Sequence, residues 1–403
     1  MAKKNDDFFK EKKPWSEVKD ELLGHYLKPY FQKILHTRRA IVYVDCFAGK
    51  GVFEDGKPGS PLIALHTIED CLGQTTITQG NIQPYFIDLN YAEELTKNLT
   101  FYPHVNVISG KYEDQIGSIL KDKSGCNIFL YVDPYGIKAL DCSLFDSFSS
   151  RGFYSIELLI NMNSFGFIRE GCRVLGVKFE DDILEDLVEY DSTQLTADKK
   201  SKEALDRIAG GDYWVAIIEK KRKGIITAYE AEAEFAEAYC KRMRQSYAYV
   251  LNMPLRIKEG QVPKYRMIHA TNHADGALLM VDNIFGRWEF MQDIQRGGQI
   301  SLFEENVENE TINEDDIRNK VVDHLSCLTS FNRMNPIMAD FYSRYGVICR
   351  TSTIKSIFKD FEKSGQLIVK RTPETTDKGR ASTFFADEKG KVTELRWKNE
   401  KHN

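Results

Sequence analysis

The sequence predicts an α/β protein. It should have a doubly wound, mostly parallel sheet with a helical insertion, followed by a C-terminal winged helix-turn-helix module. Three observations carry this. Residues 41–51 read IVYVDCFAGKG, an apolar run closed by Asp45 and followed by Gly49 and Gly51. Glycines after a first strand let the backbone turn tightly and approach a nucleotide-like ligand with no Cβ in the way. From there, short apolar runs alternate with helical patterns to about residue 160, as parallel strands with crossover helices require. Near 296 the texture turns acidic, and three helical patterns with a hairpin pattern come after it.

Taken in order, residues 16–37 place Leu22, Leu23, Tyr26, Leu27, Tyr30, Phe31 and Ile34 at helical spacing. Ser16 offers a cap, and Pro29 predicts a kink or a division into two helices. Strands are expected at 41–45, 84–88, 105–108, 127–132 and 154–161. Helices are expected near 60–70, 91–100, 113–121 and 140–148. Residues 165–245 read as a charged helical insertion, and a late pair of strands follows near 247–253 and 264–271. These elements make a first domain of 1–295. Residues 296–313, with Glu304, Glu305, Glu308 and Glu310, read as an acidic linker. In 314–403, helices near 314–325, 333–344 and 351–364 precede two hairpin strands, 367–370 and 382–386. Three helices and a hairpin are the winged helix-turn-helix pattern.

The bulk numbers narrow the function. The chain has 403 residues, 42% of them hydrophobic and 29% charged, with a net charge of −5. That balance excludes a chain-wide nucleic-acid surface, so any such surface is local. One is visible: from residue 350 to the end, 13 Lys/Arg stand against 8 Asp/Glu. The eight cysteines include no C-x-x-C pair, which argues against a zinc ribbon or iron–sulfur centre. No run reaches the ~18 apolar residues of a membrane span, and the N-terminus has no apolar signal core. A reduced, cytoplasmic protein without a membrane segment is expected.

Four groups of residues could carry chemistry. Asp45, Phe47, Gly49 and Gly51 form a candidate cofactor turn, whose backbone N–H groups would meet the ligand; a plain strand-to-helix turn is the alternative. Asp88 closes the second strand, where a carboxylate can accept from ribose hydroxyls or cap the next helix. It lies 43 residues past Asp45, and an insertion around 52–60 would absorb the excess. Asp133, Pro134 and Tyr135 follow the fourth strand, beside where a donor group would sit, or make a β-turn. Tyr112 lies in the segment 109–114 after the third strand, where polar residues can contact an adenine; Glu113 and Asp114 read equally as first-turn helix residues favoured by the N-terminal dipole. Cys142 and Cys46 read as packing residues rather than nucleophiles. His269, Asn272 and His273 lack a third ligand, so no metal is expected. In the tail, Arg350, Lys355, Lys370, Arg371, Lys378 and Arg380 can meet phosphates; oligomerisation or partner docking is the other reading.

The turn resembles motif I of S-adenosylmethionine-dependent methyltransferases, and its D-x-F-A-G-x-G wording is close to that of cytosine methyltransferases. Asp133-Pro134-Tyr135-Gly136 resembles the D-P-P-Y signature of amino-directed nucleic-acid methyltransferases, without the second proline. That resemblance implies a carboxylate and a main-chain carbonyl holding the target amino group, with the aromatic ring stacked on an extruded base. The ordered succession is similar to the three-Cys-motif partner family, a bacterial and phage group of Rossmann-like proteins. It runs from Lys13-Pro14-Trp15-Ser16 and Lys19 through Val44–Gly49, Gly59-Ser60-Pro61, Phe86-Ile87-Asp88, Asp133–Gly136 and Ile156–Asn161 to Met267–His273, covering roughly residues 10–300. This implies a methyltransferase-type sheet, S-adenosylmethionine as cofactor, and a partner protein with a three-cysteine, radical-SAM-like motif. The expected function is methyl transfer to a base of DNA or RNA. The other expectation is an accessory protein with a retained or degenerate nucleotide site.

Overall fold

A computed structural model describes residues 6–73, 82–179, 199–255, 265–295 and 313–398. They fall into two compact units, Met1–Asn272 and His273–Asn403.

In the first unit a short 3-10 turn, Asp6–Phe9, precedes helix α1 (Pro14–Leu35). Then follow β1 (Ile41–Asp45), α2 (Ser60–Gly73), β2 (Ile82–Asp88), α3 (Ala92–Asn98), β3 (Asn106–Ser109), α4 (Tyr112–Ile119), β4 (Asn127–Val132), α5 (Cys142–Ser149) and β5 (Ser155–Met162). The expected insertion holds α6 (Ser164–Val174), α7 (Lys199–Ala209), α8 (Tyr213–Arg222) and α9 (Ala228–Met243). The strands β6 (Tyr249–Leu255) and β7 (Tyr265–Thr271) close the unit. All seven strands form one sheet in the order β3-β2-β1-β4-β5-β7-β6. The first five run parallel, and β7 is antiparallel between β5 and β6. This is a mixed α/β, Rossmann-like sheet. The chain leaves β1 toward β2 on one side and comes back to β4 on the other, so the crevice at the C-terminal ends of β1 and β4 is the topological switch point. Strands β1, β4 and β5 are buried along their whole length, which explains their near-continuous apolar runs.

Helix α1 departs from expectation in two ways. It is unbroken through Pro29, and Lys13 rather than Ser16 occupies its N-cap. The Ser16 hydroxyl is buried without a partner. Proline in the first turn is pre-organised for a helix start. Inside the helix it removes a hydrogen bond, and burial of Leu22, Leu23, Tyr26, Leu27, Tyr30 and Phe31 outweighs that loss.

The second unit comprises α10 (Ala274–Gln295), α11 (Glu314–Ser326), β8 (Asn332–Arg333), α12 (Met334–Tyr345), α13 (Thr351–Lys363), β9 (Leu367–Thr372) and β10 (Val392–Trp397). Its three-stranded antiparallel sheet has the order β8-β10-β9. The second hairpin strand is therefore Val392–Trp397 and not 382–386. Thr393 and Leu395 alternate into the interior there. The 382–386 run is instead a loop tied to that strand: the Thr393 hydroxyl donates to the Ala386 carbonyl at 2.9 Å and accepts from the Ala386 N–H at 3.2 Å. Helix α10 packs on α12 and α13, with Thr351 donating to Asp282 at 2.7 Å. The unit boundary consequently falls after Asn272 rather than at 295. Of the expected linker 296–313, only Asn313 lies within the described residues; its side chain caps α11 through the Asp315 N–H at 3.2 Å. Among the described residues no helix is long and apolar enough to cross a membrane.

Candidate cofactor and substrate site

The turn after β1 is held almost entirely by the protein itself. The Cys46 N–H donates to the Tyr131 carbonyl and the Ala48 N–H to the Ile87 carbonyl, both at 2.9 Å. The Phe47 N–H reaches Asp45 Oδ1 at 3.2 Å, and the Gly49 N–H reaches Asp88 Oδ2 at 2.9 Å. The expected amide cradle for a ligand is thus already satisfied from residue 46 to 49. Gly49 and Gly51 have φ of +61° and +78°, conformations that L side chains rarely adopt. A Cβ at Gly49 would lie 2.9 Å from the Phe9 ring, and one at Gly51 would lie 2.8 Å from Leu95. Both glycines are required by backbone conformation and by the protein's own packing. Phe9 belongs to an aromatic cluster with Phe8, Phe53 and Tyr91. The Lys50 ammonium lies over the Phe9 and Tyr91 rings, at 5.0 and 5.2 Å from their centroids.

At the switch point the structure gathers three carboxyl groups. Asp45 is fully buried, and among the described residues no cation pairs with it. Burial pushes its pKa up to about 7, against hydrogen bonds from Ser60 Oγ (2.6 Å) and the Phe47 N–H; nearby Asp133 and Asp20 push the same way. Asp20, on α1, is likewise raised by burial to about 6, despite its ion pair with Lys12 at 2.6 Å. Asp133 is held by Lys19 Nζ at 3.0 and 2.7 Å from its two oxygens, by Asn161 Nδ2 at 2.6 Å and by the Tyr131 hydroxyl at 3.3 Å. Asn161 turns its N–H to the carboxylate, which leaves its own Oδ1 buried without a partner. The Tyr135 ring beside Asp133 is 51% exposed, as a stacking surface has to be.

Asp88 spends its carboxylate on three backbone donors: Gly49 N–H, Asn90 N–H at 2.8 Å and Tyr91 N–H at 2.7 Å. A carboxylate has about four lone-pair sites, so it keeps room for a ribose hydroxyl while tying the glycine turn to the start of α3. Leu89, the next residue, is 45% exposed. Half-buried Phe47 adds to the apolar surface. Tyr112 does not: it is buried beneath Phe47, ring centroids 5.4 Å apart, and its hydroxyl has no partner.

Sequence reasoning missed Lys12, Asp20 and Leu89 as site residues. Lys19 and Asn161 entered only within a resemblance, with no role assigned. Contacts across 114 positions (Lys19 to Asp133) and 28 positions (Asn161 to Asp133) cannot be read from spacing. The cysteines behave as packing residues. Burial raises the Cys46 thiol well above its usual range and Cys142 to about 12. His269 is buried against Glu157 at 2.9 Å, with Tyr26 donating to the same carboxylate. Among the described residues no group of acidic, His and Cys side chains could hold a metal.

In the C-terminal unit the basic residues divide. Arg371 is closed off: its guanidinium makes two 2.7 Å bonds to Glu362, donates to the Phe384 carbonyl at 2.7 Å and covers the Phe385 ring. Lys370 sits 3.7 Å from Glu394. The Arg350 guanidinium lies 5.8 Å from the Phe285 ring centroid. Lys378 and Arg380 are exposed in the loop between β9 and β10, and Lys355 is half-buried on α13.

The sheet order and its switch point define a Rossmann-like α/β protein. No protein-family model matches the chain, and no curated protein is significantly similar to it. Among solved structures it is similar to a putative methyltransferase, yhhF, from Escherichia coli, at 16% identity and TM-score 0.22 over 34% of this chain and 68% of that one. It is also similar to the CurJ carbon methyltransferase, at 12% and 0.31 over 62% of this chain and 54% of that one. A third is the plantazolicin methyltransferase BamL, in complex with a triazolic desmethylPZN analog and SAH, at 10% and 0.29 over 64% and 86%. Likeness at this level carries no argument about activity, which has to come from the site.

Proposed function

We propose that the protein is an S-adenosylmethionine-dependent methyltransferase acting on an exocyclic amino group of a nucleic-acid base, and that it works with a three-cysteine-motif partner protein. The observation that carries this reading is Asp133, an ordered carboxylate at the end of β4, with exposed Tyr135 beside it and Asp45 close enough across the switch point to feel its charge. The cofactor carries a sulfonium and an ammonium group. Asp45, buried and with no cation paired to it among the described residues, fits such a ligand, because a positive charge there would relieve what burial costs it. Leu89 and Phe47 offer an apolar wall, and Asp88 keeps a lone pair for a hydroxyl. When bound, the cofactor supplies an electrophilic methyl group.

The chain's own residues do the rest. Asp133 accepts the N–H groups of the target amine, which fixes the nitrogen's direction. Most of the rate gain in such a transfer comes from alignment. The Lys19 ammonium, bonded to both of its oxygens, orients the Asp133 carboxylate. Asn161 Oδ1 is a further acceptor within the same cluster. Tyr135 stacks on the base, and the C-terminal unit, read as a winged helix, grips the polynucleotide.

A second reading is favoured by specific contacts. The amides of the glycine turn are internally satisfied, Phe9 packs against Gly49, and Lys19 already holds Asp133. These fit an accessory protein with a degenerate nucleotide site, docking its partner. Calorimetry with S-adenosylmethionine separates the two. On the enzyme reading wild type binds, Leu89→Asp loses at least tenfold in affinity, and Asp133→Ala binds normally. Asp133→Ala then fails to incorporate tritiated methyl into DNA or RNA, with or without the partner. Absence of binding by the wild type sinks the enzyme reading.

A further inference from the structure

We propose that the C-terminal unit is a reader of double-stranded DNA, and that the outer face of α13, rather than the strand β9, makes the contact. This rests on the reading of a polynucleotide as substrate and adds which polynucleotide it is. Helix α13 buries Thr351, Ile354, Ile357, Phe358 and Phe361. On the opposite side Ser352, Ser356, Lys359 and Lys363 are exposed, spaced by four, three and four residues, with half-buried Lys355 at the edge. This is one stripe of a helix.

The helix also carries two carboxylates, and both are neutralised from neighbouring elements. Arg318 of α11 binds Asp360 at 3.1 Å, and Arg371 of β9 closes on Glu362. Among the described residues no carboxylate lies within ion-pair distance of Lys355, Lys359 or Lys363. The stripe is thus cationic on a chain of net charge −5. Arg371, one of the expected phosphate contacts, serves instead to cancel an acid beside the stripe.

Charge and shape both select the partner. A lysine- and serine-faced helix with no large apolar side chain on its outer positions is unlike the core of a protein interface, where Lys and Ser are depleted. A helix with side chains is about 10–12 Å across and the major groove of B-DNA about 12 Å wide. The deep, narrow major groove of A-form RNA does not admit side chains. The serine hydroxyls can meet base edges or phosphates. Exposed Lys378 and Arg380 lie on a loop closed by the Thr376 N–H to Arg380 carbonyl bond at 2.8 Å, placed to reach phosphate.

The test is fluorescence anisotropy of the full chain with a 20-base-pair DNA duplex, the RNA duplex of the same sequence and one single strand. Wild type should prefer duplex DNA, with a log–log salt slope of about −4 to −5 for five phosphate contacts. Lys359→Glu with Lys363→Glu should weaken binding by about 60-fold at 0.1 M salt, the counterion release of two lost contacts, and flatten the slope by about two. A control reversal on α7, Lys200→Glu with Lys202→Glu, should stay within twofold. Equal affinity of the α13 variant and wild type overturns the proposal, as does RNA duplex or single strand bound as tightly as duplex DNA. Cofactor calorimetry and thermal melting of the α13 variant should match wild type. A failure of the methyltransferase reading would therefore appear in calorimetry, and a failure of this proposal in anisotropy.

Discussion

Asp45 shows most clearly what a single residue in this fold costs and does. An aspartate that ionises near 3.8 when exposed ionises at about 7 in the folded chain, chiefly because burial disfavours its charge. The folded pKa is raised, so between pH 4 and 7 the folded state holds a proton that the unfolded state has released. Stability is full below about 4 and falls as pH rises through 7, by of order 4 kcal/mol. Asp20, raised to about 6, adds to the same decline. Asp45→Asn removes the ionisation. Urea midpoints measured from pH 5 to 8 should therefore fall less with pH in the variant than in wild type, and the variant should be the more stable at pH 8. Parallel profiles would mean that Asp45 is solvated or paired in solution. The sequence made Asp45 legible as a strand-end acid, because D-x-F-A-G follows an apolar run. It did not reveal the environment, which depends on α1 crossing the switch point. Nor did it reveal why Gly49 is a glycine: the space beside it belongs to Phe9, forty positions earlier.

At the scale of elements, period and punctuation carried nearly everything in the first unit. The strands of the sheet lie within a residue or two of their expected places, because buried parallel strands are written as unbroken apolar runs. The hairpin was misread for a physical reason. Phe384 and Phe385 look like a strand, but in Val392–Trp397 it is Thr393 and Leu395 that alternate inward, and a buried threonine hides the pattern. The same hairpin shows how an exposed-looking arginine can be structural. Arg371 fastens β9 to α13 through Glu362 and to the connecting loop through the Phe384 carbonyl. Arg371→Ala should cost about 1.5–3 kcal/mol, the range for bonds to a charged group. Lys370→Ala, one residue away and 56% exposed, should stay within about 0.5 kcal/mol. Thermal melting of both variants checks this; equal midpoints would mean the Glu362 pair contributes nothing.

For the whole molecule, the division after Asn272 changes where the chain can be cut. The composition shift at 296 marks the acidic stretch, not the edge of a packed unit, because α10 is helical and apolar on one side like any helix before it. What assigns α10 to the second unit is its packing on α12 and α13 and the Thr351–Asp282 bond, contacts that join residues about 70 positions apart and leave no local mark. A chain ending at residue 300 keeps α10 but loses its partners, exposing Ala277, Leu278, Met280 and Val281, which are buried in the full chain. Exposed apolar surface of this kind drives association. A chain ending at residue 272 lacks α10 altogether. The shorter protein should therefore be monodisperse in light scattering and retain whatever cofactor affinity the full chain has, while the longer one aggregates. Should the 300-residue chain be the better behaved of the two, α10 belongs with the sheet, and the boundary lies where the composition changes.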